Sequence, residues 1–393
     1  MTIFLNQLGL VCSLGHGQRA VRETLFRADA PQGMTRTEAF SPGRPLYVGE
    51  VNAALPDSSP WPLWHRSRNN ALLAAALQEI RPAVDAAVAR VGPARVAIVL
   101  GGSTSGVREG EAAVRARLST GRWPDDYDHR QEDLASASTF LAWLLGTAGP
   151  AHVISTACSS GAKALASAAR LLQADLADVV VAGGADSLCS FTLAGFMALE
   201  SVSAQRCNPL SVNRDGINLG EGAALFLVSR EPGAVRLAGW GETSDAHHIS
   251  SPDPTARGAM AAMNLALARA GVAAPQIDYV NLHGSATPQN DAMESRAIAQ
   301  TLGLHVPVSS TKPLTGHALA AAGAIEAAFG WLALVDNPLG RLPPHWWDGE
   351  ADPALPRLHA VSPGDALGRP LRHVLSNSFA FGGSNASLLL GTG

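Results

Sequence analysis

Cys158, His283 and His317 are the residues whose types and surroundings most favour covalent chemistry. A cysteine sulfur is a nucleophile once it loses its proton, and an imidazole can take up a proton or donate to a developing negative charge. Cys158 and His283 each follow a short apolar run, and His317 precedes a long apolar helix pattern. We therefore expect a thiol and two imidazoles at the carboxyl edge of a sheet, where α/β active sites lie.

Cys158 lies between an apolar run and a helix that begins near Ser159-Ser160-Gly161. The positive end of the helix dipole should stabilise the thiolate, and the free N–H groups of the first turn can form an oxyanion hole. The other cysteines, Cys12, Cys189 and Cys207, show no disulfide or metal-site spacing. We interpret them as unreactive intracellular thiols.

The composition excludes several classes of protein. Of the 393 residues, 47% are hydrophobic and 16% are charged, and the net charge is -4. These values favour a compact α/β protein and give no reason to expect a nucleic-acid or membrane partner. The N-terminus lacks the features of a signal peptide, and Glu326 interrupts the one long apolar stretch, Leu319–Val335. That stretch is better explained as a core helix, and we predict a cytoplasmic protein.

The elements that position the three residues follow from apolar periodicity, which predicts helices alternating with buried parallel strands. The predicted strands are Val96–Leu100, Val153–Ser155, Val179–Ala182, Ala223–Val228, Val235–Gly239, Tyr279–Leu282, Val306–Ser309 and Val374–Asn377. The predicted helices are Asn69–Val91, Ala162–Gln173, Gly258–Ala270 and Ala318–Leu334.

The predicted division of the chain is at Glu231-Pro-Gly. It separates residues 1–230, with the cysteine, from residues 231–393, with both histidines. Each half holds a Gly-rich turn after a strand, which indicates a diverged duplication. The predicted irregular segments are Thr35–Pro62, Thr120–Leu134 and Asn337–Pro370. The last of these contains Pro-Pro-His-Trp-Trp, and we interpret it as a surface excursion or a partner contact.

Four motifs occur in the order and context found in the β-ketoacyl-acyl carrier protein synthases, which this chain resembles over nearly its whole length. They are Thr-Ala-Cys-Ser-Ser-Gly (156–161), His-Gly-Ser-Ala-Thr-Pro-Gln-Asn-Asp (283–291), Thr-Lys-Pro-Leu-Thr-Gly-His (311–317) and Asn-Ser-Phe-Ala-Phe-Gly-Gly-Ser-Asn (377–385). The resemblance implies a thiolase-like, five-layered αβαβα fold with two pseudo-duplicated halves. It also implies a homodimer, or a heterodimer with a homologous subunit.

The resemblance further implies a decarboxylative Claisen condensation between an acyl group on Cys158 and a malonyl unit. His283 and His317 would stabilise the enolate, and the N–H groups of Cys158 and Phe381 would form the oxyanion hole. Lys312 and Glu326 would be a supporting charge pair that orients His317 and the site. The residues implied to contact the substrate are Ser285, Thr287, Phe379, Gly382 and Gly383. No cofactor or metal is implied, since an acyl carrier protein delivers the substrates on its phosphopantetheine arm.

Three further sequence features bear on the ketosynthase subfamily and on the contact with a carrier protein. Ala380 replaces the family's more usual glycine, which should restrict the loop that carries the gating residue Phe381. Arg66, Arg68 and Arg206 lie in segments that resemble the rim which contacts an acidic carrier protein. The N-terminal half is similar to ketosynthases of aryl polyene pigment clusters, so the pathway is fatty acid, polyketide or aryl polyene biosynthesis.

Three other functions fit this sequence less well. A thiolase needs a second cysteine near the C-terminus, and this chain has none after Cys207. A chain-length-factor-like subunit usually lacks the nucleophile, which is present here. A cysteine hydrolase fits poorly because the two histidines lie in separate motifs and no acid is placed to orient them.

Overall fold

The computed structural model describes all 393 residues and contains fourteen strands and ten helices. The strands are β1 (Phe4–Cys12), β2 (Gly15–His16), β3 (Thr35–Thr37), β4 (Leu46–Val48), β5 (Val96–Gly101), β6 (Ala151–Ile154), β7 (Val179–Asp186), β8 (Gly222–Ser229), β9 (Val235–Ser244), β10 (Tyr279–Asn281), β11 (Pro307–Ser309), β12 (His359–Ala360), β13 (His373–Ala380) and β14 (Ser384–Thr392). The helices are α1 (Gln18–Leu25), α2 (Arg68–Val91), α3 (Val107–Thr120), α4 (Ser136–Leu145), α5 (Ser160–Gln173), α6 (Ser190–Ala198), α7 (Arg257–Ala270), α8 (Pro288–Thr301), α9 (Lys312–Thr315) and α10 (Ala322–Leu334). Short 3₁₀ helices include Leu319–Ala321 before α10 and Phe381–Gly383 between β13 and β14.

All strands except β3 and β4 form one continuous sheet that is built twice over. The first half has the order β6-β5-β7-β8-β1, and the second has the order β11-β10-β13-β14-β9. In both halves the first two pairings are parallel and the next two are antiparallel. The expectation of parallel sheets was wrong in this respect, because apolar periodicity does not record strand direction. The repeated order confirms the two pseudo-duplicated halves.

Helices cover and separate the two halves of the sheet, which gives five layers. Helices α2 and α4 pack outside the first half, and α7 and α8 lie outside the second. Between the halves lie α5 and α10, which contact each other and the strands on either side. A Cβ on Gly161 of α5 would lie 2.8 Å from the backbone nitrogen of Ala324, so a glycine is needed for this close approach.

The predicted strands match because strands between two helix layers are apolar on both faces. For example, Val96–Leu100 lies within β5, all of whose residues are buried. Unpredicted elements include the strands β1 and β14 and the helices α3, α4 and α8. The division at residues 230 and 231 stays a prediction, because the two halves share the sheet where β1 pairs with β9.

The segment Asn337–Pro370, predicted to be a surface excursion or partner contact, is mostly exposed over residues 348–370, but Pro343–Trp347 within it is covered. Pro343, Pro344 and His345 are buried, and the two tryptophans are half-buried. His345 bridges two backbone groups: its Nδ1 accepts from the N–H of Ser310, and its Nε2 donates to the carbonyl of Pro209, each at 3.0 Å. Among the other segments predicted to be irregular, Thr35–Pro62 contains β3 and β4. No helix combines the length and apolarity needed to cross a membrane.

Candidate active site

Cys158 lies in a tight turn between β6 and α5. The residue before it, Ala157, has a φ of 50°, a left-handed conformation that is unfavourable for a residue other than glycine. Helix α5 begins two residues later at Ser160, as the sequence predicted. The turn therefore places the cysteine at the helix N-terminus, with its side chain 6% exposed.

Three polar groups surround the sulfur of Cys158. The Nε2 atom of His317 lies 2.9 Å from Sγ, although the two residues are 159 positions apart in the chain. The backbone N–H groups of Phe381 and of Cys158 itself also point at the sulfur. These two N–H groups are the pair expected to form an oxyanion hole, and the structure brings them to the same atom.

The surroundings of the sulfur favour its protonated form. Burial raises the pKa of Cys158 to about 11, although Lys312 and the two N–H groups oppose this effect. Removing the sulfur from water disfavours its charged form, so burial opposes the stabilisation of the thiolate by the helix dipole, which stays a prediction. The nucleophile must therefore lose its proton during the reaction.

The two imidazoles lie beside each other, with ring centroids 5.2 Å apart. His283 follows β10, and the carboxylate of Glu294 on α8 accepts the N–H groups of His283 and Gly284 at 2.8 and 2.7 Å. His317 is held by its own N–H, which donates to the carbonyl of Asn218 at 2.7 Å. Separate elements therefore fix the two rings, each through the backbone.

Both imidazoles are neutral because burial, and then the nearby ammonium of Lys312, holds their pKa values well below the ordinary range. The Nδ1 atoms of His283 and His317 are buried and have no hydrogen-bond partner. No partner at Nδ1 therefore fixes the tautomer of either ring, and the Nε2 of His317 faces the sulfur of Cys158. Each Nε2 can accept a proton in one step and donate one in another.

Lys312 and Glu326 form a buried ion pair at 2.5 Å beneath the site. The ammonium also donates to the backbone carbonyl of His283. The pair thus contacts the segment of His283, and its role in orienting His317 and the site stays a prediction. Burial raises the pKa of Glu326 to about 7, and Lys312 opposes this shift.

A cavity of about 320 Å³ lies beside the site, although Cys158, His283 and His317 do not line it. Thr287, Phe379 and Phe381 line it, as expected for residues that contact a substrate. Ser285 lies beside Thr287, and the oxygen atoms of their hydroxyl groups are 3.0 Å apart. The main chain of Phe381 thus contacts the sulfur of Cys158 while the residue also borders the cavity.

Gly382 and Gly383 shape the turn after Phe381 and are not among the residues lining this cavity. Their φ angles of 81° and 71° require glycine or strain any other residue. Ala380 has a φ of -96°, an extended conformation open to any residue. The methyl group of Ala380 therefore causes no backbone strain in this conformation of the loop.

The three arginines expected at a carrier-protein rim do not form a free cationic patch. Arg66 donates to the carbonyl of Trp61 at 2.8 Å. Arg68 pairs with the buried carboxylate of Glu221, and Arg206 donates to the carbonyl of Pro313. All three side chains are half-buried, because each satisfies a polar group of its own chain.

The ligating atoms of Cys158, His283 and His317 lie within 4.8 Å of one another, and zinc accepts such a set of donors. Two ligands on one zinc would lie about 3.5 Å apart, given Zn–S and Zn–N bonds of about 2.3 and 2.1 Å. The observed separation of 2.9 Å between Sγ and Nε2 is a hydrogen-bond distance. The geometry therefore fits a proton-transfer pair better than a metal centre.

Sequence reasoning gave no role to Glu294 or Asn218, which hold the two histidines. Glu294 lies in α8, and the signal was a buried acid on a helix directly after the His-Gly motif. Asn218 lies in Arg-Asp-Gly-Ile-Asn-Leu-Gly-Glu-Gly (214–222), a segment similar to the same family. Its contact with His317 in the structure shows that this segment holds the backbone of that histidine.

Two family models match the chain. Residues 87–234 match the model described as "Beta-ketoacyl synthase, N-terminal domain", and residues 234–344 match "Beta-ketoacyl synthase, C-terminal domain". Among curated proteins, the chain is 40% identical over 261 residues to 3-oxoacyl-[acyl-carrier-protein] synthase 2 of Rhizobium meliloti, covering 62% of this chain and 61% of that protein. It is 37% identical over 275 residues to the mitochondrial 3-oxoacyl-[acyl-carrier-protein] synthase of Arabidopsis thaliana, covering 64% of this chain and 59% of that protein. The chain thus spans about three fifths of the length of these curated relatives.

Solved structures match over the whole chain. A structure of a ketosynthase (ApeO) in complex with its chain length factor (ApeC) from Xenorhabdus doucetiae superposes with a TM-score of 0.93 at 42% identity, covering 100% of this chain and 98% of that one. The ishigamide ketosynthase/chain length factor superposes with a TM-score of 0.84 at 27% identity, covering 100% and 99%. These likenesses confirm the thiolase-like ketosynthase fold.

Proposed function

Because this chain belongs to the β-ketoacyl synthase family, we propose that it is a condensing enzyme that joins an acyl group held on Cys158 to a malonyl unit. The observation that carries the proposal is the approach of His317 Nε2 to the Cys158 sulfur at 2.9 Å, beside a second imidazole. The product is a β-ketoacyl thioester. Acyl and malonyl groups arrive as thioesters of a carrier-protein arm, and the residues require no further cofactor.

In the first step the sulfur of Cys158 attacks the acyl thioester carbonyl. His317 accepts the thiol proton at Nε2, which suits a neutral ring next to a thiol whose pKa is about 11. The N–H groups of Cys158 and Phe381 stabilise the oxyanion that forms. The C–S bond to the carrier arm then breaks, and the departing sulfur takes up the proton.

In the second step a malonyl thioester loses CO₂ and leaves an enolate. Two neutral imidazoles can each donate an Nε2–H group to the enolate oxygen, which lowers the energy of the developing charge in a buried site. The enolate carbon attacks the acyl carbon and the bond to the Cys158 sulfur breaks. The departing sulfur takes a proton from Nε2–H of His317, and the ring recovers that proton from solvent. Lys312 supports this step by holding the backbone of His283.

The partners proposed are an acyl carrier protein and a homologous subunit. The relatives named 3-oxoacyl-[acyl-carrier-protein] synthase and the ketosynthase structures solved with a chain length factor support both. The four cysteines are free thiols, which supports a reducing cytoplasmic location. Whether the chain acts in a fatty acid, polyketide or aryl polyene pathway stays a prediction.

Condensation can be tested with purified protein, an acyl-carrier protein and a malonyl-carrier protein. We expect release of CO₂, a β-ketoacyl product and an acyl adduct on Cys158 in the peptide mass spectrum. Cys158→Ala should abolish the adduct and the product. Cys189→Ala, which removes a cysteine remote from the reaction, should retain both. An acyl adduct that persists in Cys158→Ala would contradict the proposal.

A second candidate is a chain-length-factor-like subunit that acts only beside a partner ketosynthase. The complexes of a ketosynthase with its chain length factor favour a heterodimer, whereas the complete Cys158–His317 pair favours a catalytic role for this chain. Mixing the protein with a homologous subunit separates the two. If Cys158→Ala of this chain leaves the mixed complex active, the subunit role is correct.

A further inference from the structure

Lys163 is one of only two lysines in the chain and has no role in the chemistry described above. It lies in the first turns of α5, on the same helix N-terminus as the nucleophile, and is half-buried. Its ammonium donates to the hydroxyl of Ser384 at 2.7 Å. Ser384 is the first residue of β14 and directly follows the turn Phe381–Gly383. Lys163 therefore connects the helix of Cys158 to the turn that carries the second oxyanion donor.

The contact continues as a chain of hydroxyl groups. The Ser384 and Ser159 hydroxyls are 3.0 Å apart, and Ser159 donates to the carbonyl of Thr156 at 2.8 Å. An ammonium can only donate, so Ser384 accepts from Lys163 and uses its own hydrogen for Ser159. Every bond then runs in one direction, from the cation to a carbonyl, and hydrogen bonds in such a chain strengthen one another.

This chain of bonds ties together the segments on both sides of the reacting sulfur. Thr156 and Ser159 flank Cys158, and Ser384 closes the turn whose Phe381 N–H points at that sulfur. The other face of the turn is held by a separate loop: the N–H of Gly382 donates to Ile249, and that of Asp245 donates to Gly383. Since Gly382 and Gly383 adopt left-handed angles that give the turn few intrinsic constraints, both attachments are needed to set its position.

We propose that Lys163 is a positioning residue that holds the N–H of Phe381 against the sulfur of Cys158 through Ser384 and Ser159. This inference rests on the proposed function, because it assigns Lys163 to the step in which an acyl group moves onto Cys158. Lys163 acts through the main chain of the turn and contacts no reacting atom. Loss of Lys163 should therefore slow only the reaction that uses this oxyanion hole, which is the transfer of an acyl group to Cys158.

The two half-reactions of the enzyme separate this role from a general structural one. Acyl transfer to Cys158 uses the N–H of Phe381, whereas decarboxylation of malonyl thioester uses the rings of His283 and His317. Loss of a whole oxyanion donor lowers kcat by about 10² to 10³, so a displaced donor should lower it by about tenfold or more. Lys163→Met should therefore slow acyl transfer by that factor, with the KM for the acyl carrier unchanged and decarboxylation within about twofold of wild type.

Conservative variants provide matched controls. Lys163→Arg and Ser384→Thr keep the cation and the hydroxyl, so both should acylate Cys158 at rates near wild type. Ser384→Ala should match Lys163→Met. The double variant should be no slower than either single one, because both changes break the same chain of bonds. Thermal unfolding of each variant shows whether the fold is intact.

The experiment measures single-turnover acylation of Cys158 by mass spectrometry and CO₂ release from malonyl-carrier protein for every variant. Selective loss of acylation in Lys163→Met, with rescue in Lys163→Arg, is the expected result. Equal loss of both half-reactions, or wild-type acylation in Lys163→Met, overturns the role of Lys163. If the wild-type protein itself fails to acylate Cys158, the proposed function fails and not this inference alone.

Discussion

The ionisation of Cys158 makes the rate of its alkylation strongly dependent on pH. Burial raises its pKa to about 11, whereas a free cysteine has a pKa of about 8.5. At pH 8 the thiolate fraction is then about one in a thousand, against roughly one in four for a free thiol. We expect iodoacetamide to alkylate Cys158 roughly two hundredfold more slowly than free cysteine at pH 8, with the rate rising about tenfold per pH unit between pH 7 and 10.

The measurement requires the rate at Cys158 alone, because the three other cysteines are also buried and their thiol pKa values are also raised. Peptide mass spectrometry after timed quenching gives the rate for each cysteine separately. Free glutathione in the same tube provides the reference for the reagent. Cys158→Ser identifies the peptide and shows that the remaining thiols do not contribute to its signal.

A rate at Cys158 that stays constant from pH 7 to pH 10 would refute this reasoning. It would mean that the thiolate exists already at neutral pH, so that the helix N-terminus and Lys312 outweigh desolvation. His317 would then have no proton to accept in the first step. A sloped rate supports the thiol as the resting form and the imidazole as its base.

Three further predictions concern stability, each measured by chemical unfolding. Lys312→Met should lose about 2–4 kcal/mol at pH 8 and less at pH 6. Removing Lys312 raises the pKa of Glu326 above the value of about 7 that it has beside its partner, so burial of this carboxyl costs more at pH 8 than at pH 6; equal losses at both pH values would contradict this. Glu294→Gln should cost about 1–3 kcal/mol, because an amide presents an NH₂ group to backbone N–H donors that the carboxylate accepts; an unchanged midpoint would contradict it. His345→Phe should cost a similar amount by removing the acceptor of Ser310 N–H. Since burial lowers the pKa of His345 to about 4, wild type should keep this contribution above pH 6.5 and lose it as the pH falls through about 4, whereas the variant shows no such loss.

Much of the secondary structure could be predicted from local pattern. Val96–Leu100 and Val179–Ala182 were recognised as strands because strands buried between two helix layers are apolar throughout. Strand direction was not accessible, because the antiparallel pairing of β7 with β8 joins segments separated in the chain. Pro343–Trp347 was misassigned because its prolines and aromatic rings indicate a loop but do not show whether the loop is covered.

The candidate site was likewise predictable only in part. Motif order identified Cys158, His283 and His317 as candidates, and the structure places all three together. It did not identify Glu294 as the anchor of His283, since that role depends on how α8 packs against the loop after β10. The arginine rim stays a prediction, and charge alone did not show that Arg68 neutralises a buried carboxylate.

The sequence by itself determined which side chains can react and which short elements carry them, because periodicity, turn residues and motif spacing are local properties. Only the tertiary structure decided that Cys158 meets His317 across 159 residues and that burial raises the pKa of its sulfur. It alone shows Lys163 beside Ser384, 221 residues away. The physical reason is that proximity and desolvation are set by segments distant in the chain, and no local pattern records how much water their packing removes.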